Sequence, residues 1–277
     1  MRKILILIAL LFMAGCSTKF VYKNLDWLTY WYVDDYIALT DEQEAHFDKH
    51  LQTWLDWHKA QELDTYIAQL NEIKADVSAK NITPERVAYH QMQMLAHWYR
   101  FRDKIVPDLA QLAPMLSKAQ VEELFNELAE SESESIEKRQ RRSEQKRKKR
   151  WEKNRINNLE RWLGQLNDEQ KTLVEQLYEQ QLSTADLWYD YRVDYQAQLK
   201  ALFEKPNRDA QFVTELQNLL TNPEQFRSQE LQARIAHNKQ FEYQFLTNIY
   251  RSLSEKQRTH LLKELDELID DLSSLKK

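Results

Sequence analysis

The sequence predicts an all-α protein, an elongated antiparallel helical bundle, because glycine is scarce, helix-start motifs recur and apolar residues follow helical spacing. The chain has 277 residues and two glycines, whereas about 19 glycines would be ordinary for this length. Tight hairpins and phosphate-binding loops need glycine where the backbone takes a positive φ or approaches a ligand closely. This shortage argues against Rossmann folds, P-loop nucleotidases and most all-β folds. A charged fraction of 30% and a mean hydropathy of −0.75 argue against a multi-span membrane protein.

Residues 1–15 have the organisation of a secretory signal peptide. Arg2 and Lys3 are followed by an apolar stretch, 4–13, and then by Ala14 and Gly15. The apolar stretch is too short to span a bilayer as a permanent helix. The sequence therefore predicts export and removal of residues 1–15.

The residues around the single cysteine resemble the lipobox of bacterial lipoproteins, as Met13-Ala14-Gly15-Cys16. The resemblance implies that Cys16 carries a thioether-linked diacylglycerol and, after cleavage, an N-acyl chain such as palmitate, with no other cofactor. Three acyl chains exceed the two signals that stable anchoring needs. Ser17 at the next position implies transfer to the outer membrane, facing the periplasm. With one cysteine, neither an intrachain disulfide nor a thiolate metal cluster can form.

Four segments carry a capping-box pattern, in which a cap residue follows leucine and glutamine stands three positions later. The pairs are Thr40 and Gln43, Ser117 and Gln120, Asn167 and Gln170, and Ser254 and Gln257. Two further helix starts are predicted where a cap residue precedes proline, at Thr83-Pro84 and Asn222-Pro223. The order of box, proline start and box occurs twice, which suggests an internal duplication.

This order divides the chain into a signal peptide (1–15), a first helical half (16–128), a charged helical connector (129–158) and a second helical half (159–277). Apolar stripes behind the helix starts alternate steps of three and four residues, which is typical of antiparallel bundles. The stripes are Leu63, Tyr66, Leu70, Ile73 and Val77, and Leu261, Leu265, Leu268, Leu272 and Leu275. Gly164 lies just before the third box, and we predict that it closes the preceding helix.

The boxes resemble the LTxxQ motif of the periplasmic chaperones of the Spy/CpxP type, which are all-helical and poor in glycine. The match is complete for the boxes that begin at 39, 116 and 253, whereas Asn167 replaces the hydroxyl residue in the other box. A capping box also accounts for the pattern without common ancestry. The layout of a lipobox, the segment 31–36 and the first box more closely resembles a family of uncharacterised proteobacterial outer-membrane lipoproteins. That resemblance implies no established activity.

Residues 138–155 form a basic segment with eleven Lys or Arg and two Glu. Acid-first i,i+4 pairs favour a helix, and a helix over 130–150 would be about 32 Å long. The charge either keeps a solvated connector soluble or contacts anionic lipid head groups, lipopolysaccharide or an acidic protein. Nucleic acid is not expected as a partner in the periplasm. The candidate contact residues are Arg139, Arg141, Arg142, Lys146, Arg147, Lys148, Lys149 and Arg150.

Two histidines, His46 and His50, stand at i, i+4 with Glu42 one turn earlier, a spacing that can hold Zn²⁺. The segment between them lacks the glutamate of the zinc-protease motif. Surface histidines are the more ordinary interpretation, so no metal is predicted.

Two acidic-aromatic segments, 31–36 and 188–195, allow three interpretations. Their rings can pack in the core, line a groove for an extended or helical peptide, or flank paired carboxylates that act on a glycan. The last interpretation would make the protein a peptidoglycan- or glycan-acting hydrolase that uses Asp34, Asp35, Asp190 or Asp194. The candidate partner-binding residues are Trp31, Tyr32, Tyr36, Trp188 and Tyr191.

The sequence has no Gly-x-Ser-x-Gly motif, no cysteine nucleophile and no nucleotide-binding loop. It therefore predicts a binding protein rather than an enzyme. We expect a lipid-anchored periplasmic protein of the cell envelope that is chaperone-like toward unfolded or envelope proteins or acts as a structural adaptor. The hydrolase is the alternative.

Overall fold

The computed structural model describes residue 22 and residues 24–276, and this part of the chain is all helical, as the sequence predicts. The signal peptide and Cys16 lie outside the described residues. The helices are α1 (Leu25–Val33), α2 (Asp41–Trp57), α3 (Leu63–Ser78), α4 (Pro84–Leu112), α5 (Lys118–Gln140), α6 (Glu144–Leu163), α7 (Asp168–Gln180), α8 (Ala185–Phe203), α9 (Ala210–Thr221), α10 (Gln229–Arg251) and α11 (Glu255–Leu275). A π-helical segment, His58–Glu62, joins α2 to α3, and 3₁₀ turns over Ala113–Met115 and Pro223–Phe226 follow α4 and α9. None of the described helices combines the length and the apolar character that crossing a membrane requires.

All four predicted capping boxes form, with both reciprocal hydrogen bonds present, at the starts of α2, α5, α7 and α11. Thr83 also caps α4, because its hydroxyl accepts from the Arg86 backbone N–H with Pro84 in the first turn. These starts depend on hydrogen bonds within four residues, so the local sequence suffices to predict them.

The predicted helix start at Asn222-Pro223 is wrong. Pro223 opens only the 3₁₀ turn, and the Asn222 side chain donates to Asn218 instead of capping. Helix α10 begins six residues later, where the Ser228 hydroxyl accepts from the Leu231 N–H at 3.1 Å.

The prediction of one helix over 130–150 is also wrong. The basic segment is helical on both sides of a break at 141–143, where α5 ends and α6 begins. The Ser143 hydroxyl caps α6 by accepting from the Lys146 N–H at 3.4 Å. Serine is a favoured N-cap residue, so a new helix begins at this point within the charged segment.

Gly164 ends α6, as predicted, and its N–H donates to the Glu160 carbonyl at 2.8 Å. Its φ is 71° and its ψ is −166°. The positive φ with an extended ψ is a conformation that essentially only glycine adopts. The glycine therefore provides a sharp exit from the helix rather than a left-handed helical cap.

Three clusters of buried side chains hold the helices together, and each combines residues from both sides of the charged connector. The two predicted stripes face each other, since Leu63 and Leu70 of α3 pack with Leu265, Leu268, Leu272 and Leu275 of α11. A second cluster joins Val77 to residues of α6, α7 and α10. A third joins α4 and α5 to α8 and α9 through Ala110, Phe125, Phe203 and Phe212. Helix α4 packs on α2, α3, α9 and α10 and so connects these clusters.

Candidate functional site

The glutamines of the capping boxes meet in pairs. Gln43 and Gln120 are both buried, and each side-chain amide donates to the other's carbonyl oxygen, at 3.0 and 2.7 Å. Each amide also donates to a backbone carbonyl of the other segment, Gln43 to Met115 at 2.8 Å and Gln120 to Ala38 at 2.7 Å. The amide groups therefore join the starts of α2 and α5.

The second pair repeats this pattern with Gln170 and Gln257, whose reciprocal hydrogen bonds are 3.1 and 2.9 Å long. Their backbone acceptors, the carbonyls of Ser252 and Gln165, again lie two residues before the partner's cap. The pairs differ in their surroundings, because an open cleft of ≈ 490 Å³ lies beside the first pair, whereas Leu166 and Leu253 beside the second are buried. The repeat accords with the predicted duplication.

The first acidic-aromatic segment lies largely at the surface. Trp31 is 56% exposed, and Trp27, one turn earlier on α1, is 61% exposed. Tyr32 and Tyr36 are half-buried and lie against each other with ring centroids 5.3 Å apart. Trp27 is a surface residue that the sequence analysis did not select.

The second acidic-aromatic segment packs inward. Tyr191 is buried, and its hydroxyl donates to the Pro223 carbonyl at 3.0 Å. The Arg227 guanidinium lies 5.2 Å from the ring centroid of Trp188, which is half-buried. These two rings of the partner-binding candidates thus contribute to packing around the 3₁₀ turn that Tyr191 contacts.

The four aspartates of the hydrolase alternative, Asp34, Asp35, Asp190 and Asp194, are all exposed. Solvent screens exposed carboxylates, whereas a general acid needs an environment that raises its pKa. This placement lends no support to paired acid–base chemistry at these positions.

The basic candidates divide into residues with acceptors in the protein and residues that face solvent. Arg139 pairs with Asp186 at 2.8 Å, Arg141 with Glu137 at 2.9 Å, and Lys148 with Glu179. Arg147 donates to the backbone carbonyl of the half-buried Arg142 at 2.7 Å. Lys146, Lys149 and Arg150 are exposed, and their spacing of three and four residues places them on one side of α6.

The two histidines considered for zinc do not meet a third ligand. His46 is exposed, and His50 Nδ1 lies 3.4 Å from Asp108 Oδ2, which also accepts from the Trp54 indole at 2.7 Å. Among the described residues, no group of three or more His, Cys, Asp or Glu side chains could hold a metal ion.

The polar cluster that sequence reasoning missed lies at the π-helical segment, a kind of irregularity that often marks functional positions. His58 is buried between two tyrosines, with Nδ1 3.2 Å from the Tyr22 hydroxyl and Nε2 3.2 Å from the Tyr66 hydroxyl. Burial lowers the pKa of His58 to about 4, against the opposing influence of Glu62. The imidazole is therefore neutral at pH 7, so one hydroxyl donates to it and the other accepts.

Glu62 is only 2% exposed, and both of its oxygens accept from Arg100 of α4, at 2.8 and 3.0 Å. His97 of α4 lies beside this pair, and burial and the Arg100 charge lower its pKa. Farther along the helices, Asp76 accepts from Arg86 and lies 2.8 Å from His90 Nε2. Burial opposes ionisation of Asp76, but these hydrogen bonds outweigh it and lower its pKa.

Helix α4 therefore turns polar side chains toward α3, while three apolar side chains on another part of its surface are exposed. Met92, Leu95 and Tyr99 are 61%, 37% and 38% exposed. At 100° per residue, Met92 lies about 140° and Leu95 and Tyr99 about 160° around the helix from the half-buried His97. We call them the α4 apolar face; Met94, also exposed, lies about 200° around the helix from Met92.

The described fold and surfaces define an all-helical protein with paired capping-box glutamines and an exposed apolar helix face. The chain belongs to the family of unknown function DUF6279, whose model matches residues 35–232. The matched range contains three of the four boxes and the whole of α4. No curated protein and no solved structure matches the chain.

Proposed function

We propose that the protein is a lipid-anchored binding protein of the bacterial envelope that holds unfolded polypeptide segments on the α4 apolar face. The observation that carries this proposal is the exposure of apolar side chains on α4, on the side away from its polar contacts with Glu62 and α3. His97 of α4 is half-buried beside the buried Glu62 of the π-helical segment, whereas Met92 and Leu95 of α4 are exposed. Burying ionisable groups while exposing apolar ones costs stability, and binding at the exposed face accounts for such an arrangement.

Methionine suits contact with many different sequences, because its unbranched, polarizable side chain adapts to irregular apolar surfaces. Leu95 and Tyr99 add apolar area on the same side, one and two turns along the helix from Met92. The polar cluster beneath holds α4 to α3, so the face is presented on a fixed helix.

The lipobox sequence supports anchoring through acylated Cys16. Cys16→Ser is expected to release the protein from the membrane fraction and to remove the mass of the acyl chains. The exposed side chains Lys146, Lys149 and Arg150 would then be available for anionic lipid head groups or lipopolysaccharide.

The binding proposal is tested by the suppression of aggregation of an unfolded client, measured by light scattering at substoichiometric amounts of the protein. Met92→Gln together with Leu95→Gln is expected to abolish most of the suppression, because the apolar face becomes polar while the fold is retained. The matched control, Leu182→Gln together with Val193→Gln, changes two other exposed apolar residues and should suppress aggregation like the wild type. Equal suppression by all three proteins would contradict the proposal.

A further inference from the structure

A second apolar surface lies on α1 and is separate from the α4 apolar face. Trp27 and Trp31 are four residues apart and are both more than half exposed, so their indoles lie on the same side of a short helix. The helix itself is docked, since Leu25 is buried and the Tyr30 ring packs edge-on against Phe47 of α2. We call the two exposed indoles the α1 indole face.

The chain segment that carries the α1 indole face is strongly acidic. Residues 25–48 contain seven carboxylates and neither Lys nor Arg. All seven are exposed: Asp26, Asp34, Asp35, Asp41, Glu42, Glu44 and Asp48. The net charge of this segment is therefore −7, with every charge in contact with solvent.

Several of these carboxylates lie close to the hydroxyl of Tyr30, the residue next to Trp31. The Tyr30 hydroxyl donates to Asp48 at 2.6 Å. Burial, that hydrogen bond and the negative charges of Asp48, Glu44 and Asp34 all raise the pKa of Tyr30. The environment of the Tyr30 hydroxyl, on the residue next to Trp31, is thus negatively charged.

Exposed indoles together with carboxylates favour a positively charged partner. Indole faces attract ammonium and guanidinium groups through their quadrupole, and carboxylates pair with the same groups. An anionic bilayer or an acidic protein would be repelled, and a neutral apolar segment would make no use of the carboxylates. We propose that the α1 indole face and its carboxylates bind a Lys- or Arg-rich polypeptide segment.

The test is the fluorescence anisotropy of a labelled decapeptide of alternating lysine and glycine, titrated with the protein. The peptide is expected to bind with an affinity that falls as salt rises, and the corresponding glutamate–glycine peptide is expected not to bind. Trp27→Gln together with Trp31→Gln should weaken binding at least about fivefold, and Asp34→Asn should weaken it less.

The controls are Leu182→Gln together with Val193→Gln for the indoles and Asp168→Asn for the carboxylate, and both should bind like the wild type. Aggregation suppression by the α4 apolar face should be unchanged in the tryptophan variant, which also shows that the variant is folded. Unchanged peptide affinity in that variant would overturn the proposal. Loss of adsorption to zwitterionic vesicles in the variant, in place of lost peptide binding, would indicate a membrane contact and overturn the proposal. Loss of self-association in sedimentation would indicate a second copy and also overturn it.

Discussion

At the residue scale, the π-helical segment before α3 buries two ionisable groups. His58 is buried between two tyrosine hydroxyls, and the neighbouring Glu62 is paired with Arg100. A buried carboxylate that lost its partner would be left uncompensated, at a cost of several kcal/mol. Glu62 therefore depends on Arg100 for its stability in the folded protein.

We expect stability to fall as the pH drops, with His58 as a principal cause. The pKa of His58 is about 4 in the folded protein and about 6.5 in an unfolded chain. The unfolded state thus binds more protons between these values, and stability present above pH 6.5 is lost as the pH falls toward 4. The loss from pH 7.5 to 5 should be about 2 kcal/mol from this residue.

The measurement is urea unfolding of the wild type and His58→Gln at the two pH values. The variant should be less stable at pH 7.5 but should lose less on acidification than the wild type. His46→Gln, at an exposed histidine, should show the wild-type pH dependence. An equal pH dependence in His58→Gln would contradict this assignment.

These buried residues could not be found from the sequence, because the π-helical segment adds a residue to the turn between α2 and α3. A periodicity of 3.6 then no longer relates the faces on its two sides. The stripe from Leu63 onward was predictable, since it lies beyond the π-helical segment. His58 and Glu62 lie within the π-helical segment.

At the element scale, helix starts were predictable where the cap has no competitor. The four boxes form as predicted, because each is complete within five residues. The Asn222 side chain makes no cap hydrogen bond and instead donates to the backbone and side-chain oxygens of Asn218. What the sequence could not provide is the pairing of the box glutamines, which joins residues more than 70 positions apart.

We expect the two glutamine pairs to differ in strength. Gln170→Ala should cost about 2–3 kcal/mol, because it removes the hydrogen bonds that a fully buried side chain makes to Gln257 and Ser252. Gln43→Ala should cost about 1 kcal/mol, since water can enter the cleft beside the first pair. The check is the free energy of unfolding in urea, with Glu169→Ala, an exposed residue of the same turn as Gln170, as the neutral control. A larger loss for Gln43→Ala would contradict the difference in burial.

At the scale of the whole molecule, the packing clusters join the predicted halves. Residues of α3 pack with α11, and residues of α4 and α5 pack with α8 and α9. The apolar stripes were predictable from their spacing, but their partners were not, because a stripe specifies a face and not its neighbour. The exposure of the α4 apolar face could not be predicted either, because the sequence does not show whether another helix covers it.

This sharing of clusters predicts one cooperative unfolding transition. Far-UV circular dichroism and tryptophan fluorescence should give coincident urea curves. Leu268→Ala in α11 should lower the midpoints of both curves together. The corresponding loss in the free energy of unfolding should be about 2–5 kcal/mol. Two separate transitions, or a shift in one probe alone, would show that the halves unfold independently.

The central claim, that the α4 apolar face holds unfolded segments, is tested most directly by methionine oxidation. If the signal peptide is removed, the methionines are Met92, Met94 and Met115, of which only Met92 belongs to the α4 apolar face. Peroxide oxidation of each is followed by mass spectrometry with and without a permanently unfolded client. The account predicts that the client slows sulfoxide formation at Met92 and leaves the rates at Met94 and Met115 nearly unchanged. An unchanged rate at Met92 under conditions where aggregation is suppressed would contradict it.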